Sequence, residues 1–322
     1  MPDSTFDTHD VFNQSPVFGG HNVYTGDPLL KRVASALPAG VKGELEAHGK
    51  WAGRAETLEM ARLANRFVPE LKTFDMKGHR VDEVEFHPSW HAFMRKAVSL
   101  GLHCSASEPA GRDGGQRHVA RAARFFIQAQ TEQGHLCPIT MTNAAIPALQ
   151  QSPEIAAEWL PLITSRSYDA SNKPPVTKSG VILGMGMTEK QGGTDVRTNT
   201  TIAEPEAEGV WRLTGHKWFM SAPQADAFLI LAQMPLADGE RGLGCFLVPR
   251  MLSDGRRNGL RFQRLKNKLG NRSNASSEVE FAGTLGQLIG EPGKGVSTIL
   301  NMVTMTRLDC SIGSAALRRT SL

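Results

Sequence analysis

Thirteen residues, Gly184 to Val196, read GMGMTEKQGGTDV and gather four glycines, two hydroxyls (Thr188, Thr194), two carboxylates (Glu189, Asp195) and Lys190. Glycines let a backbone approach a ligand closely, and successive N–H groups in such a turn form an anion-binding concavity. The apolar run Gly180-Val181-Ile182-Leu183 leads into it. The simpler alternative is a glycine-lubricated turn between two domains. A second stretch, Gly215-His216-Lys217-Trp218-Phe219-Met220-Ser221, sets adjacent aromatics ahead of a hydroxyl. At a strand end that pattern walls a flat ring and donates one hydrogen bond to it. Its alternative is a core aromatic pair with a solvated serine. Together the two stretches offer backbone N–H groups, hydroxyls and an aromatic wall, as a flavin with its pyrophosphate needs.

Other chemistries find less support. No GxGxxG lies between a strand and a helix, so the site is not of the Rossmann kind. Gly290-Glu291-Pro292-Gly293-Lys294-Gly295 is not a P-loop, because no Ser or Thr follows Gly-Lys. His87 and His91 have the i, i+4 spacing of a metal pair, but without HExxH or a third ligand nearby helix-end packing is the better reading. Cys104, Cys137, Cys245 and Cys310 are widely separated and show no ligand spacing, which argues for free thiols in a reducing compartment. The N-terminus has neither a basic nor an apolar signal region, and no run approaches the ~18 apolar residues of a membrane helix. A soluble, cytoplasmic protein is expected. A net charge of +4 with pI near 8.9 does not by itself argue for nucleic acid.

The elements that must position these stretches change character along the chain. Residues 1 to about 50, rich in Gly, Pro, Asn and Asp, read as an irregular arm. Helical patterns follow from Glu56 until Pro69, from Pro88 to Gly101, over Arg117–Gln133, over Cys137–Gln150 and over Glu154–Thr164. Tyr168 to Lys178, with Pro174-Pro175, reads as a linker. From Gly180 the period changes. Apolar or β-branched runs at Val181–Met187, Thr198–Ala203, Val210–Met220, Ala227–Gln233, Gly244–Pro249, Leu260–Leu265 and Ser277–Phe281 predict a β-barrel or sandwich. From Gly295 a helical pattern returns and runs to Leu322, where a further helical domain is expected to begin and be cut off. The expected fold class is therefore α+β multidomain: an all-α N-terminal domain (1–179), a β-barrel domain (180–292) and the start of a C-terminal α bundle (293–322).

These stretches carry a resemblance. MTEKQGGTDV is similar to the TEPxAGSD signature of acyl-CoA dehydrogenases, and GHKWFMS resembles their second flavin motif. LKNKLGNRSNASSEVEF resembles the K-x-G-x-R-x-S segment late in their β domain. The segment from Leu288 to Ala315 resembles the entry to their C-terminal bundle. VFNQ, RLAN, FHPSWH, ARAARF, LCPITMT, GMGMTEKQGG and KLGNRSNAS together look like the AidB, or alkylation-response, branch of the family.

The resemblance implies three domains (α, β-barrel, α bundle), tetramers, and FAD between the β domain and the C-terminal bundle. By position, Met185, Gly186, Met187, Thr188, Glu189, Lys190, Gln191, Gly192, Gly193 and Thr194 line the flavin, with Thr188 at the ring and Thr194 at the pyrophosphate. Phe219 takes the ring-facing aromatic place with Met220 beside it, and Ser221 approaches N5. Glu189 and Asp195 are expected to brace the loop. The implied reaction removes the α-proton of an acyl-CoA thioester, isovaleryl-CoA-like, while hydride passes from Cβ to flavin N5. It needs a carboxylate base within reach of that proton and donors for the thioester oxygen. In a minority branch the base directly precedes an arginine on the first C-terminal helix. That position is Thr306, before Arg307, and threonine cannot serve, so no catalytic base is expected within these 322 residues. The AidB branch further implies double-stranded DNA as a partner, mainly through the part of the family fold beyond this chain. The alternatives are a DNA-binding protective flavoprotein with little turnover and an inactive fragment.

Overall fold

The structure is a computed structural model and describes residues 8–10, 12–16, 18–108 and 113–321. Eight α-helices are described: α1 (Pro28–Val33), α2 (Ala39–Ala52), α3 (Ala55–Arg66), α4 (Pro88–Ser99), α5 (Arg117–Ala129), α6 (Leu136–Leu149), α7 (Pro153–Ile163) and α8 (Gly295–Thr320). The strands are β1 (Glu70–Phe74), β2 (Arg80–Glu85), β3 (Leu183–Thr188), β4 (Ile202–Ala207), β5 (Val210–Ser221), β6 (Ala227–Pro235), β7 (Arg241–Pro249), β8 (Leu260–Leu265) and β9 (Ser276–Ile289).

Two features depart from the sequence expectation. The region before residue 50 holds α1 and α2 and is no irregular arm from residue 28 onward. Asp27 starts α1 by accepting from the N–H groups of Leu29 and Leu30 at 2.9 and 3.0 Å, with Pro28 preset for the first turn. The N-terminal region is also not purely helical, because β1 and β2 form an antiparallel hairpin.

Of the seven strands after residue 180, five close on themselves. β3 pairs with β5, β5 with β9, β9 with β7, β7 with β6, and β6 back with β3. This ring removes the sheet edges among those five strands. Strand alternation divides the apolar residues between two cores. On β6, Phe228, Ile230, Ala232 and Met234 join one cluster, while Ala227, Leu229 and Leu231 join another with α6, α7 and α8. β7 divides likewise, with Phe246 and Val248 on one side and Leu243, Cys245 and Leu247 on the other. A strand covered on both faces needs a continuous apolar run, which is how AFLILA reads.

Buried polar clusters fix the helices to one another and to this barrel. Asp309 of α8 receives a two-pronged ion pair from Arg121 of α5 at 2.6 and 2.7 Å, and Thr140 of α6 donates to it at 2.5 Å. Glu132 accepts from Ser273 at 2.5 Å and from the His135 ring at 2.6 Å, joining the α5–α6 connection to the segment before β9. Leu300, Leu308 and Leu317 of α8 lie about half exposed on the side away from its buried face.

Candidate functional site

The two chemistry-bearing stretches lie on adjacent antiparallel strands. Met185 pairs with Ser221 and Gly186 with Met220, but Thr188 then pairs with Phe219, so β3 carries one extra residue, Met187, between these pairs. In a regular strand Gly186 and Thr188 share a face. The bulge breaks that rule and sets Thr188 beside Phe219, away from the face of Gly186 and Met220. One face therefore presents Met185, Ser221, Thr188 and Phe219. Phe219 is 40% exposed there, a high value for a phenylalanine flanked by strand partners.

The opposite face belongs to the core. Met220 is fully buried in the apolar cluster that also holds Phe228 and Ile230. Its side chain, expected beside the ring-facing aromatic, is turned into the barrel, so only its backbone remains available to a ligand. At Gly186 a Cβ would stand 3.1–3.2 Å from Ile230, Lys217 and Met220. At Gly184 a Cβ would lie 2.4 Å from the Ser221 carbonyl oxygen and 2.7 Å from the Phe228 ring. The glycine at 184 therefore allows β3 to approach β5 closely, next to Ser221.

Glu189 likewise has its side chain inside, fully buried. Its Oε1 accepts from Lys217 Nζ at 2.6 Å, Thr201 Oγ1 at 2.6 Å and Thr201 N at 3.1 Å. Its Oε2 accepts from Gln191 Nε2 at 2.7 Å, Thr200 N at 2.7 Å and Thr200 Oγ1 at 3.0 Å. Burial by itself pushes the carboxyl up. The Lys217 charge and the hydrogen bonds outweigh it and hold Glu189 down at about 2. Asp195 caps the turn at Val196–Thr198 by accepting from Arg197 N at 3.2 Å.

Between these anchors Lys190, Gln191, Gly192, Gly193 and Thr194 form an exposed loop. Gly192 has φ +142, which side-chain-bearing residues rarely adopt, and Gly193 packs on Thr188 so closely that a Cβ would stand 2.6 Å from its Oγ1. Three cations lie over the Trp218 ring, two of which, Arg264 and Lys266, also pair with Glu278 at 2.7 and 2.8 Å. Lys266 Nζ sits 3.4 Å from the Trp218 ring centre, with Lys190 at 5.7 Å and Arg264 at 5.6 Å.

Sequence spacing gives no hint of the neighbours that α6 and the segment before β9 supply. Burial pushes the Cys137 thiol up, and the polar neighbours Asn274, Lys268 and Ser221 oppose that rise. Cys137 thus stands beside the strand end. The only signal was the LCPITMT segment, which is apolar enough to read as core. On the helical side, Met185 and Met187 pack against the cluster containing Ile299 and Met302 of α8. Thr306 of α8 donates to Val303 O of its own helix at 2.9 Å. His87 caps α4 by accepting from Ser89 N at 3.2 Å, and His91 meets Tyr168 Oη at 2.9 Å. No group of three or more potential metal ligands occurs among the described residues.

Known proteins resemble this chain in sequence and fold. Residues 13–170 match the family described as "Adaptive response protein AidB N-terminal domain", and residues 184–284 match "Acyl-CoA dehydrogenase, middle domain". The chain is 49% identical to AidB of Escherichia coli over 314 residues, 97% of this chain and 57% of that protein. The chain belongs to the acyl-CoA dehydrogenase family. It is also 30% identical to acyl-CoA dehydrogenase family member 11 of Caenorhabditis elegans, over 93% of this chain and 49% of that one. The crystal structure of Caenorhabditis elegans ACDH-11 in complex with C11-CoA superposes with a TM-score of 0.82 at 29% identity, covering 98% of this chain and 54% of that one. The chain thus spans about half the length of these acyl-CoA dehydrogenase relatives. No helix among its described residues is long and apolar enough to cross a membrane.

Proposed function

We propose that this chain supplies the β-domain half of an FAD site in an AidB-type acyl-CoA dehydrogenase. The observation that carries the reading is the bulge that gathers Thr188, Phe219 and Ser221 on one face, next to the loop of Gly192, Gly193 and Thr194. The residues fit the cofactor. An exposed aromatic, two hydroxyls and a loop free of Cβ atoms at two positions together match a flat ring with a pyrophosphate tail. Bound FAD supplies the acceptor for a hydride. Ser221 and Thr188 donate to the ring edge, Phe219 shields one ring face from water, and Thr194 with the loop N–H groups holds the pyrophosphate. Met185 and Met187 make the apolar contact toward α8.

The substrate class is an acyl-CoA thioester, short and branched as isovaleryl-CoA is, undergoing α,β-dehydrogenation. These residues supply no base for it. Glu189 is enclosed by six donors, Asp309 is held by Arg121 and Thr140, and the Thr306 hydroxyl is spent within its helix. Turnover therefore requires a carboxylate from elsewhere, and this chain alone binds FAD without measurable dehydrogenation.

Titration of the purified protein with FAD, followed by flavin fluorescence, tests the reading. Saturable binding is expected, weakened about fivefold or more by Ser221→Ala and by Thr188→Val, as loss of single hydrogen bonds implies. Absence of binding, or binding unaffected by both substitutions, sinks it.

A second reading rests on the 49% identity to AidB. In it the flavoprotein acts in the cytoplasmic response to DNA alkylation, as a homotetramer that holds duplex DNA. Phosphate-driven binding at low salt that disappears as salt rises supports it, and absence of binding at low salt removes it for this chain.

A further inference from the structure

A cleft of about 210 Å³ opens between Val68 and Pro69, which lead into β1, and the chain from Leu265 to Ala275 that joins β8 to β9. Lys266, Lys268 and Arg272 line it with Asn274, and among the described residues no carboxylate does. The carboxylate that serves this region is Glu278. It accepts from Lys266 at 2.8 Å, and Arg264 shares it at 2.7 Å.

The other two cations are not answered in this way. Lys268 is partly buried. Its Nζ donates to the Asn274 carbonyl oxygen and, at 3.5 Å, to Ser276 Oγ, so one of its three N–H groups is left over. Burial lowers this ammonium from its usual value, and the group that opposes the shift is the Cys137 thiol, not a carboxylate. Arg272 is exposed and makes no ion pair among the described residues. Asn274 adds an independent signal. It is 7% exposed, lines the same cleft, and has its Oδ1 buried without a hydrogen-bond partner. Buried polar atoms are almost always paired. An empty acceptor beside two unanswered cations calls for a ligand that is an anion and still has a proton to donate. Chloride, sulfate and an ionised carboxylate have none. A phosphate group that keeps one P–OH has both.

We propose that this cleft binds a singly protonated phosphate group, free or carried by a small phosphomonoester. Its charged oxygens accept from Lys268 and Arg272, and its P–OH donates to Asn274 Oδ1. The cleft is separate from the Lys190–Thr194 loop proposed to hold the FAD pyrophosphate, so phosphate and FAD load independently.

The test is calorimetric titration of the purified chain with inorganic phosphate, glycerol 3-phosphate and sulfate at constant ionic strength, alongside thermal melts in each. It is run at about pH 6, where phosphate and its monoesters both keep a P–OH. Phosphate or its ester is expected to bind, with a Tm that climbs with the logarithm of its concentration. Tighter binding of inorganic phosphate assigns the cleft to the free ion, and tighter binding of the ester assigns it to an organic phosphate. Sulfate is expected to bind several-fold more weakly. Lys268→Met is expected to weaken phosphate binding about tenfold to a hundredfold, as loss of a charge-assisted hydrogen bond implies. Arg272→Gln, at an exposed side chain, keeps the fold and is expected to weaken it about fivefold. Asn274→Leu is expected to narrow the gap between phosphate and sulfate. Saturating FAD is expected to leave phosphate affinity unchanged. No heat and no Tm rise with either phosphate overturns the proposal. Equal affinity for sulfate, which marks general attraction to cations, overturns it too, as does binding that survives both Lys268→Met and Arg272→Gln. Displacement of phosphate by FAD also overturns it, because the cations then serve the cofactor.

Discussion

Directly behind the proposed flavin face, Glu189 and Lys217 form an ion pair at 2.6 Å with both side chains fully buried. The pair is unequal. The carboxylate accepts from six donors, whereas among the described residues the ammonium has, besides Glu189, only Thr201 Oγ1 at 3.4 Å. Lys217→Met leaves Glu189 with five of its six donors. Glu189→Gln leaves a buried ammonium almost unaccompanied, and it turns the amide NH2 against donors at Thr200 and Gln191. Removing one partner of a buried pair costs about 3–5 kcal/mol. The five retained donors place Lys217→Met near the lower end, about 3 kcal/mol, and their mismatch places Glu189→Gln near the upper end, about 5 kcal/mol.

At roughly 2–4 °C per kcal/mol, these costs lower Tm by roughly 6–12 °C and 10–20 °C respectively. Replacing both residues removes the orphaned charge, so Glu189→Gln/Lys217→Met is expected to be more stable than Glu189→Gln alone. Urea denaturation followed by tryptophan fluorescence measures all four proteins, with the slope checked for constancy across the cycle. If Lys217→Met proves the more damaging single change, or if the double variant loses the sum of the two, the donor count is not what governs this pair.

Three further outcomes follow from the geometry. Burial raises the Glu132 carboxyl, but hydrogen bonding and charge from His135, with Ser273, pull it from 4.5 down to about 2. Because the folded value lies below the unfolded one, this stabilisation is complete above pH 4.5 and drains as pH falls toward 2; a Tm that stays flat across that window refutes it. Arg121→Met strands Asp309 between α5 and α8, at a cost of about 3–5 kcal/mol, and amide hydrogen exchange within 295–320 should quicken relative to the β-barrel strands. Gly184→Ala puts a methyl 2.4 Å from the Ser221 carbonyl oxygen, so about 1–3 kcal/mol of stability is lost and FAD binding weakens along with it, both measurable in one melt series with and without FAD.

The barrel was legible because its strands are written as apolar runs, as in AFLILA, or as apolar–polar alternation, as in LRFQRL. Leu260–Leu265 coincides with the observed β8, and Ala227–Gln233 falls inside β6. β1 and β2 were not, because ELKTF and RVDEVE are half-exposed and mostly polar, with little apolar face to reveal a period. α2 was obscured by glycines at 40, 43 and 49. Yet at Gly49 a Cβ would stand 2.3 Å from the Asn22 side chain, so that glycine marks a close approach to the preceding segment and not a break. Within the site, residue types were readable and their facing was not. Met220 beside Phe219 looks like a second wall until alternation turns it into the core.

The bulge at Met187 shows why facing is the harder inference. β3 must fill the barrel with one side and present hydroxyls on the other, and a period of two ties these demands together. Gly184 and Gly186 satisfy the inward side by having no side chain where β5 and β6 press closest. A regular strand would then send Thr188 inward as well. That space is already taken, because Lys217 and Met220 bracket Gly186 and the Lys217 ammonium holds Glu189 beneath the loop. One extra residue frees Thr188 to the outer face while letting Glu189 reach back inside. The same insertion therefore builds the outward-facing hydroxyl and the buried anchor that holds the glycine loop in place. Thr188 owes its position to Met187, a residue whose type carries no chemical signal, and only the pairing of the two strands reveals that dependence.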